Sequence, residues 1–146
     1  MENRKTLLER IRWELQHSKE TERLFEALNA EVESVDEETN TVVFCMEPMP
    51  WMRISSGVVT AAAQMALMEV LLTLTSWAIN GSNQWRAIDM QADCLRRFDD
   101  TGKFWLSCRP DHLGRRMVQM SGFFYTDPET KKPVTRCRIK QMRLDG

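Results

Sequence analysis

Histidine is scarce in this chain of 146 residues and the cysteines are far apart, so the spacings typical of metal sites are missing. The chain has two histidines and no C-x-x-C pair among its four cysteines, which are Cys45, Cys94, Cys108 and Cys137. A zinc site with Cys and His ligands is therefore not expected, and we predict neither a metal nor a separate cofactor. The N-terminal segment is charged and lacks the apolar stretch of a signal peptide, which favours a reducing, cytoplasmic location.

An excess of charge of either sign is also missing. Lysine and arginine total 20, aspartate and glutamate total 21, and the formal net charge is −1. That balance argues against a broad surface for nucleic acid or anionic lipid. The sequence also lacks a glycine-rich phosphate loop and a serine or cysteine in a nucleophile-elbow context. Hydrophobic residues make up 42% and charged residues 28%, which is typical of a globular domain with its own core.

One apolar run, residues 57–79, is long enough to cross a bilayer. It carries Glu69 near its middle, and a charge at that depth costs roughly 2.5–3.5 kcal/mol in hydrocarbon. The segments after it alternate apolar and polar residues, as strands with one buried face do, and they need a helix to cover that face. We therefore predict a core helix over this run and no membrane insertion.

The predicted elements are a helix, two strands, the long buried helix and four further strands. Apolar residues at helical spacing predict helix over 2–28, with a break near 17–19 because Ser18 and Thr21 are favourable caps. Ser55 and Ser56 are capping residue types before the long helix, and Asn80-Gly81 ends it. The predicted strands cover residues 30–35, 41–46, 84–98, 103–111, 114–126 and 133–143.

Consecutive antiparallel strands with one helix that is apolar on all sides predict an α+β fold in which a curved sheet wraps around that helix. We expect a single domain over 1–146, with an N-terminal helical segment at 1–28 and a core at 30–143. A lone sheet leaves its edges and its outer face uncovered, so self-association is also expected.

Three segments resemble motifs of hotdog-fold thioesterases of the phenylacetate-pathway and four-hydroxybenzoyl-CoA type. SSGVVTAAAQ, at residues 55–64, resembles the H-G-G-x-x-x-x-x-x-D start of their central helix. AIDMQADCLRRF, at 87–98, is similar to the strand that follows that helix, and RPDHLGRR, at 109–116, is similar to a later turn. The resemblance covers about residues 30–143. It implies the hotdog fold, an antiparallel sheet of about six strands around one long central helix, here preceded by an N-terminal helix.

The resemblance also implies hydrolysis of acyl-CoA or acyl-carrier-protein thioesters, with coenzyme A present only as part of the substrate. The family builds its site between subunits, which implies a homodimer or a dimer of dimers. Carried over position by position, the catalytic residues are Gln64 and Gly57, and the Gly57 amide is expected to polarise the thioester carbonyl. The substrate-binding positions are Ser55, Ser56 and Thr60 at the helix start and Gly114, Arg115 and Arg116 at the turn.

The departures from the family pattern are concentrated at the helix start. Gln64 stands where the family has its carboxylate, Ser55 where it has histidine, and Ser56 where it has the first glycine. An amide has no useful pKa and cannot act as a general base, although it can orient water or a carbonyl. Glu69 does not replace the carboxylate at that position, because five residues correspond to about 140° around a helix. A polar pair between Thr60 and Gln64, which are four residues apart, is expected instead.

Two function hypotheses from different classes therefore stay open. One is a thioesterase with an unusual site, and the other is a catalytically degenerate protein of the same fold that binds acyl thioesters. A dehydratase or isomerase is disfavoured because its Asp/His pair has no counterpart, and a transcription regulator because residues 1–28 are short and acidic.

Two groups of basic residues are candidates for the phosphates of coenzyme A, since guanidinium groups bind phosphate well. Arg115 and Arg116 lie in the predicted turn. Arg136, Arg138 and Lys140 alternate with other residues and predict a one-sided basic stripe on the last strand. The alternative for this stripe is a solvated outer face of the sheet that discourages edge pairing.

Overall fold

Six antiparallel strands and two α-helices form the part of the chain that the computed structural model describes, residues 6–21, 28–54, 57–99 and 101–145. This is the element order that the sequence predicts. The elements are α1 (Leu7–Thr21), β1 (Glu31–Asp36), β2 (Thr41–Met46), a 3-10 helix (Pro50–Met52), α2 (Ala61–Asn80), β3 (Trp85–Cys94), β4 (Phe104–Leu113), β5 (Met117–Tyr125) and β6 (Thr135–Arg143).

The strands form one sheet in the order β1-β2-β4-β5-β6-β3. The connection through α2 therefore carries the chain from β2 past the sheet, and β3 becomes an edge strand that pairs with β6. Alternate side chains of the inner strands, such as Phe44, Leu106 and Phe124, are fully buried in one core with Leu67 and Leu71 of α2. The period of two in the strands and the all-round apolar surface of α2 account for this arrangement.

Helix α2 is the core helix of the fold. It is long and apolar enough to cross a membrane, but 67% of its most apolar window is buried inside the chain. The close approach of β4 to β5 requires a glycine at position 122, under α2. A Cβ built at Gly122 would lie 2.4 Å from the carbonyl oxygen of Ser107 and 3.4 Å from Leu72 of α2.

Helix α1 packs on the C-terminal half of α2, and the predicted break near residues 17–19 is wrong. The helix runs without interruption to Thr21 because Leu7, Ile11, Leu15 and Ser18 form one buried stripe. His17 lies in the body of this helix and its ring stacks on Trp13, with centroids 4.6 Å apart. The remainder of the predicted helical segment, residues 22–27, lies outside the described residues.

Candidate functional site

The start of α2 lies a few residues after the serines that the sequence suggests as caps. The cap is Thr60, whose hydroxyl accepts a hydrogen bond from the Ala63 amide at 3.1 Å. The Thr60 amide in turn donates to the carbonyl oxygen of Met52 at 2.8 Å, which ties the helix start to the 3-10 helix. Ser55 and Ser56, predicted to bind substrate, lie outside the described residues. The Thr60 hydroxyl is occupied as a cap and does not pair with the Gln64 side chain.

Gly57 lies in a turn immediately before this start. Its φ of 74° is in the left-handed region that favours glycine. Its amide, predicted to polarise a thioester carbonyl, donates to the carbonyl oxygen of Ile54 at 3.0 Å. That hydrogen bond would have to be shared or broken for the Gly57 amide to receive a substrate oxygen, so its catalytic role stays a prediction.

Two backbone amides at the same helix end are open. Among the described residues, the N–H groups of Ala61 and Ala62 have no hydrogen-bond partner, and both side chains are exposed. The first N–H groups of any helix lack partners within the helix and lie at the positive end of its dipole. These two amides can therefore stabilise a developing negative charge on a carbonyl oxygen.

The Gln64 side chain is a buried clamp between α2 and the sheet. It is 4% exposed, and its Nε2 donates to the carbonyl oxygen of Val59 at 3.1 Å. Its Oε1 accepts from the hydroxyl of Thr135 at 2.5 Å, and the Cys94 thiol lies 4.0 Å from the same oxygen. Both ends of the amide are therefore satisfied by the chain itself, as buried amides require. The catalytic role of Gln64 stays a prediction that needs one of these bonds to open.

Glu69 is the carboxylate of α2, and it lies on a different face from Gln64, as its spacing predicts. It is half-buried, and this burial raises its pKa, while the nearby Arg86 guanidinium on β3 acts in the opposite direction. Within the described part of the chain its carboxyl group accepts no hydrogen bond and forms no ion pair.

The predicted phosphate-binding turn lies at the other end of the sheet from Gln64. Thr135, which contacts Gln64, begins β6, whereas Met117, after the turn, pairs with Met142 at the end of β6. Seven residues of strand separate these points, which is about 24 Å. Gly114 allows the tight turn, because a Cβ there would lie 2.7 Å from the carbonyl oxygen of Met117. Arg115 and Arg116 are exposed beside it, so one chain does not bring the two predicted groups together.

The basic stripe of β6 faces away from α2, on the outer face of the sheet. Arg136 and Lys140 pair in register with Asp93 and Asp89 of β3. Arg138 donates to the amide oxygen of Gln91 through its Nε at 2.8 Å. A cavity of about 570 Å³ lies over this face and is lined by both basic and acidic side chains. The neighbouring opposite charges favour the solvated-face interpretation, and the two aspartates do not approach α2.

Strand β3 presents an open edge close to the exposed side of α2. It has ten residues, pairs with β6 along one side and, within the described chain, has no strand on its other side. Ile88 on this strand is 54% exposed, and Met65, Ala66 and Trp77 of α2 are half-buried. A long edge strand with exposed apolar residues favours pairing with another chain.

The described residues contain no group of three His, Cys, Asp or Glu side chains placed to hold a metal ion. All four cysteines are free thiols.

Sequence reasoning did not identify three residues around Gln64. Val59, Cys94 and Thr135 contact its amide, and Thr135 is 71 positions away along the chain. No local motif signals such a contact. The similarity of residues 87–98 to the family strand that follows the central helix is the sequence feature that indicates a position for Cys94 near the helix start.

The six-stranded antiparallel sheet around one long helix is the hotdog fold, which solved thioesterase-superfamily structures also have. The chain is similar to zebra fish thioesterase superfamily member 2, with a TM-score of 0.77, 14% identity and coverage of 93% of this chain and 97% of that one. It is also similar to the E. coli PaaI protein from the phenylacetic acid degradation operon (TM-score 0.76, 15% identity, coverage 96% and 97%). A third similar structure is a Pseudomonas aeruginosa thioesterase solved as a glutamine-to-alanine variant (TM-score 0.74, 20% identity, coverage of 88% of this chain and 89% of that one).

No protein-family model and no curated protein matches the chain. The similarity to the solved structures confirms the hotdog fold predicted from the residues of the three motifs. At these identities the similarity shows the fold alone and assigns neither a substrate nor catalytic residues.

Proposed function

We propose that this chain hydrolyses acyl-CoA or acyl-carrier-protein thioesters at a site between the subunits of a homodimer. The observation that carries the proposal is the open helix end, where the Ala61 and Ala62 amides lack partners within the described chain. A thioester carbonyl placed there receives hydrogen bonds that strengthen as its oxygen becomes an oxyanion. Gly57 shapes the preceding turn, and Gln64 fixes the helix start against the sheet.

The open edge of β3 supports the proposed homodimer. Two β3 strands paired antiparallel extend the sheet across a two-fold axis and bury Ile88 together with the exposed side of α2. In this antiparallel pair, the end of each sheet lies next to the opposite end of the partner's sheet. The turn with Arg115 and Arg116 of one subunit is therefore on the same side of the dimer as the start of α2 in the other subunit. This arrangement supports a role for Gly114, Arg115 and Arg116 in binding the phosphates of a substrate held by the partner subunit.

The four free thiols support the proposal that the protein acts in the reducing cytoplasm.

A second candidate function is binding of acyl thioesters without hydrolysis. The observation that favours it is the Gln64 clamp, because an amide with both ends bonded supplies neither a base nor a mobile hydrogen-bonding group. In that case the open amides of α2 hold the thioester carbonyl and no group activates water.

A hydrolysis panel measured with a binding assay separates the two candidates. Acyl-CoA esters of short, long and aromatic acyl groups are assayed for thiol release, and calorimetry measures binding of a non-hydrolysable thioether analogue. Hydrolysis above the uncatalysed rate supports the thioesterase, whereas binding without hydrolysis supports the second candidate. Absence of both contradicts the proposed function.

The dimer has its own test at the β3 edge. Changing Ile88→Lys places a charge in the proposed interface, so we expect light scattering to show a monomer where the wild type shows a dimer. The control is Leu113→Lys, since Leu113 is also exposed (43%) but ends β4, which lies inside the sheet. A wild-type monomer, or a dimer that both variants leave intact, contradicts pairing through β3.

A further inference from the structure

We propose that the acyl group reaches this protein on an acidic carrier protein, which docks where β5 begins and β6 ends. This inference rests on the proposed function and favours one of its two substrate classes. We call this surface the docking end. It consists of three apolar and three basic residues, which are Met117, Met142, Leu144, Arg115, Arg116 and Arg143.

Main-chain contacts bring the residues of the docking end together. Met117 pairs in register with Met142, and the Arg143 amide donates to the carbonyl oxygen of Arg116 at 3.0 Å. The Leu144 amide donates to a carbonyl oxygen of the segment before β3 at 2.9 Å. Neighbouring strands are about 4.8 Å apart, so this surface is roughly 10 Å wide across three strands. One partner can therefore contact all of it at once.

The apolar side chains of the docking end are exposed. Met142 is 46% and Leu144 is 62% exposed, and Met117 beside them is half-buried. Because Gln141 is buried against α2, the alternation along β6 places Met142 on the outer face of the sheet. Neighbouring exposed apolar residues are typical of protein-binding surfaces, and methionine adapts its shape to a partner. The phosphates of coenzyme A do not account for these side chains, whereas a protein surface does.

The basic residues make this end positive in a chain whose net charge is −1. Arg115 and Arg116 are exposed, and within the described chain their side chains form neither a hydrogen bond nor an ion pair. Arg143 pairs with Asp145, which is the one acidic residue of segments 113–117 and 141–145. Two guanidinium groups are therefore available, and their planar fork suits the carboxylates of a partner.

An acidic carrier protein fits both parts of the docking end. Its carboxylates pair with the arginines, its apolar residues cover the methionines, and opposite charge speeds the encounter. A contact of this size is weak, which suits a carrier that leaves after each turnover. In the proposed dimer, the docking end lies on the same side as the α2 start of the other subunit. The flexible prosthetic arm of the carrier extends its thioester toward the open amides there.

The test compares one acyl group carried by three thiols, which are an acidic acyl-carrier protein, coenzyme A and pantetheine. For the full-length wild type, we expect kcat/KM to be at least about 10-fold higher with the carrier protein than with coenzyme A. This kcat/KM should fall as salt is added, and that of the uncharged pantetheine ester should not. A preference for coenzyme A, or equal values, overturns the inference, while hydrolysis of either ester keeps the proposed function intact.

Two variants separate protein docking from phosphate binding. The double variant Met142→Gln/Leu144→Gln removes the apolar contacts without changing the charge. It should lower kcat/KM for the carrier protein by about 10-fold and leave the other two esters unchanged. Arg116→Glu should lower kcat/KM for the carrier protein and for coenzyme A, but not for pantetheine. The matched control is Trp13→Gln, because Trp13 is an equally exposed apolar residue (52%) on α1, outside the docking end. It should leave all three values unchanged.

The remaining outcomes each decide the inference. A double variant that keeps the wild-type preference for the carrier protein, or that slows all three esters equally, overturns the docking end. A lower mass of the double variant in light scattering shows that this surface joins copies of the chain, which also overturns it. A wild type that hydrolyses none of the three esters overturns both the inference and the proposed function.

Discussion

The two ends of α2 differ in whether their terminal backbone groups find hydrogen-bond partners elsewhere in the chain. At the C-terminal end, Gly81 adopts a φ of 68° and its amide donates to the carbonyl oxygen of Trp77 at 2.8 Å. Arg10 of α1 donates to the carbonyl oxygen of Ala78 at 2.6 Å, and the Asn80 side chain donates to that of Ser76 at 2.9 Å. At the N-terminal end, Thr60 caps the Ala63 amide, and the amides of Ala61 and Ala62 stay open within the described chain.

This difference separates a helix end that the chain closes from one that it leaves open to a ligand. The carbonyl end is covered by a second helix and closed by side chains, so it contributes stability and offers little to a ligand. The amide end has its positive dipole and two donors facing outward, although a clamp a few residues further on fixes its position. A long buried helix thus keeps one end closed by the chain while two backbone amides at its other end stay open within the described residues.

The largest effect on stability is expected when a charge is introduced at Gln64, which joins α2 to the sheet. Gln64→Glu places a buried carboxylate against the Val59 carbonyl oxygen, where the native Nε2 donates, so its pKa should be raised strongly. The variant should be close to the wild type at acid pH, where the protonated carboxyl group can donate to that oxygen. As the pH rises from the pKa of this glutamate in the unfolded chain toward its raised pKa in the folded variant, the variant should lose about 3 kcal/mol of stability. Urea denaturation across pH measures this, and a loss independent of pH contradicts the clamp geometry.

The same clamp can be removed without introducing charge. Gln64→Leu leaves the Thr135 hydroxyl buried without its acceptor, at a cost of about 2 kcal/mol in the free energy of unfolding. Thr135→Val in the same chain removes the unpaired hydroxyl and should recover part of the loss. Urea denaturation of both single variants and the double variant gives the coupling energy. Strictly additive losses would mean that the two side chains do not interact.

The closed end of α2 should be sensitive to backbone strain alone. Gly81→Ala meets no atom within 4 Å, so its cost comes from the left-handed φ and should be about 1.5 kcal/mol. Thermal unfolding measures this cost. Thioester hydrolysis should stay unchanged, and a change in KM would show that the closed end also affects the substrate.

The smallest effect is expected at the cap of the open end. Thr60→Ala removes the acceptor for the Ala63 amide and should cost about 1 kcal/mol, whereas Thr60→Ser should retain it. Comparing the urea denaturation of these two variants isolates the contribution of the Thr60 hydroxyl to stability. Equal losses in both variants would indicate that the methyl group, and not the cap, stabilises the helix start.

Most of the fold could be predicted because its signals are local. The alternation in β2, the all-round apolar surface of α2 and the glycine at its end each lie within one stretch of sequence. The residue at which α2 begins was harder to predict, since Ser55, Ser56 and Thr60 all have capping side chains. The choice is made by the hydrogen bond from Thr60 to Met52 and by the one from Val59 to Phe98, which sequence does not reveal.

The candidate site was less predictable because it depends on contacts between distant segments. The family position of Gln64 was evident, but its occupation by Thr135 depends on how β6 meets α2. Likewise, the spacing of Arg115 and Arg116 from the helix gave no indication that the turn lies at the opposite end of the sheet. That separation appears only once the register of β5 and β6 is known.

The clamp around Gln64 also affects the evolutionary paths open to this protein. Glutamine and glutamate codons differ by a single base, so a carboxylate at position 64 is one mutation away. Yet the Val59 carbonyl oxygen and the Thr135 hydroxyl fit an amide, so that step costs stability. The surrounding hydrogen bonds therefore disfavour a carboxylate at position 64 unless the segment that carries Val59 changes first.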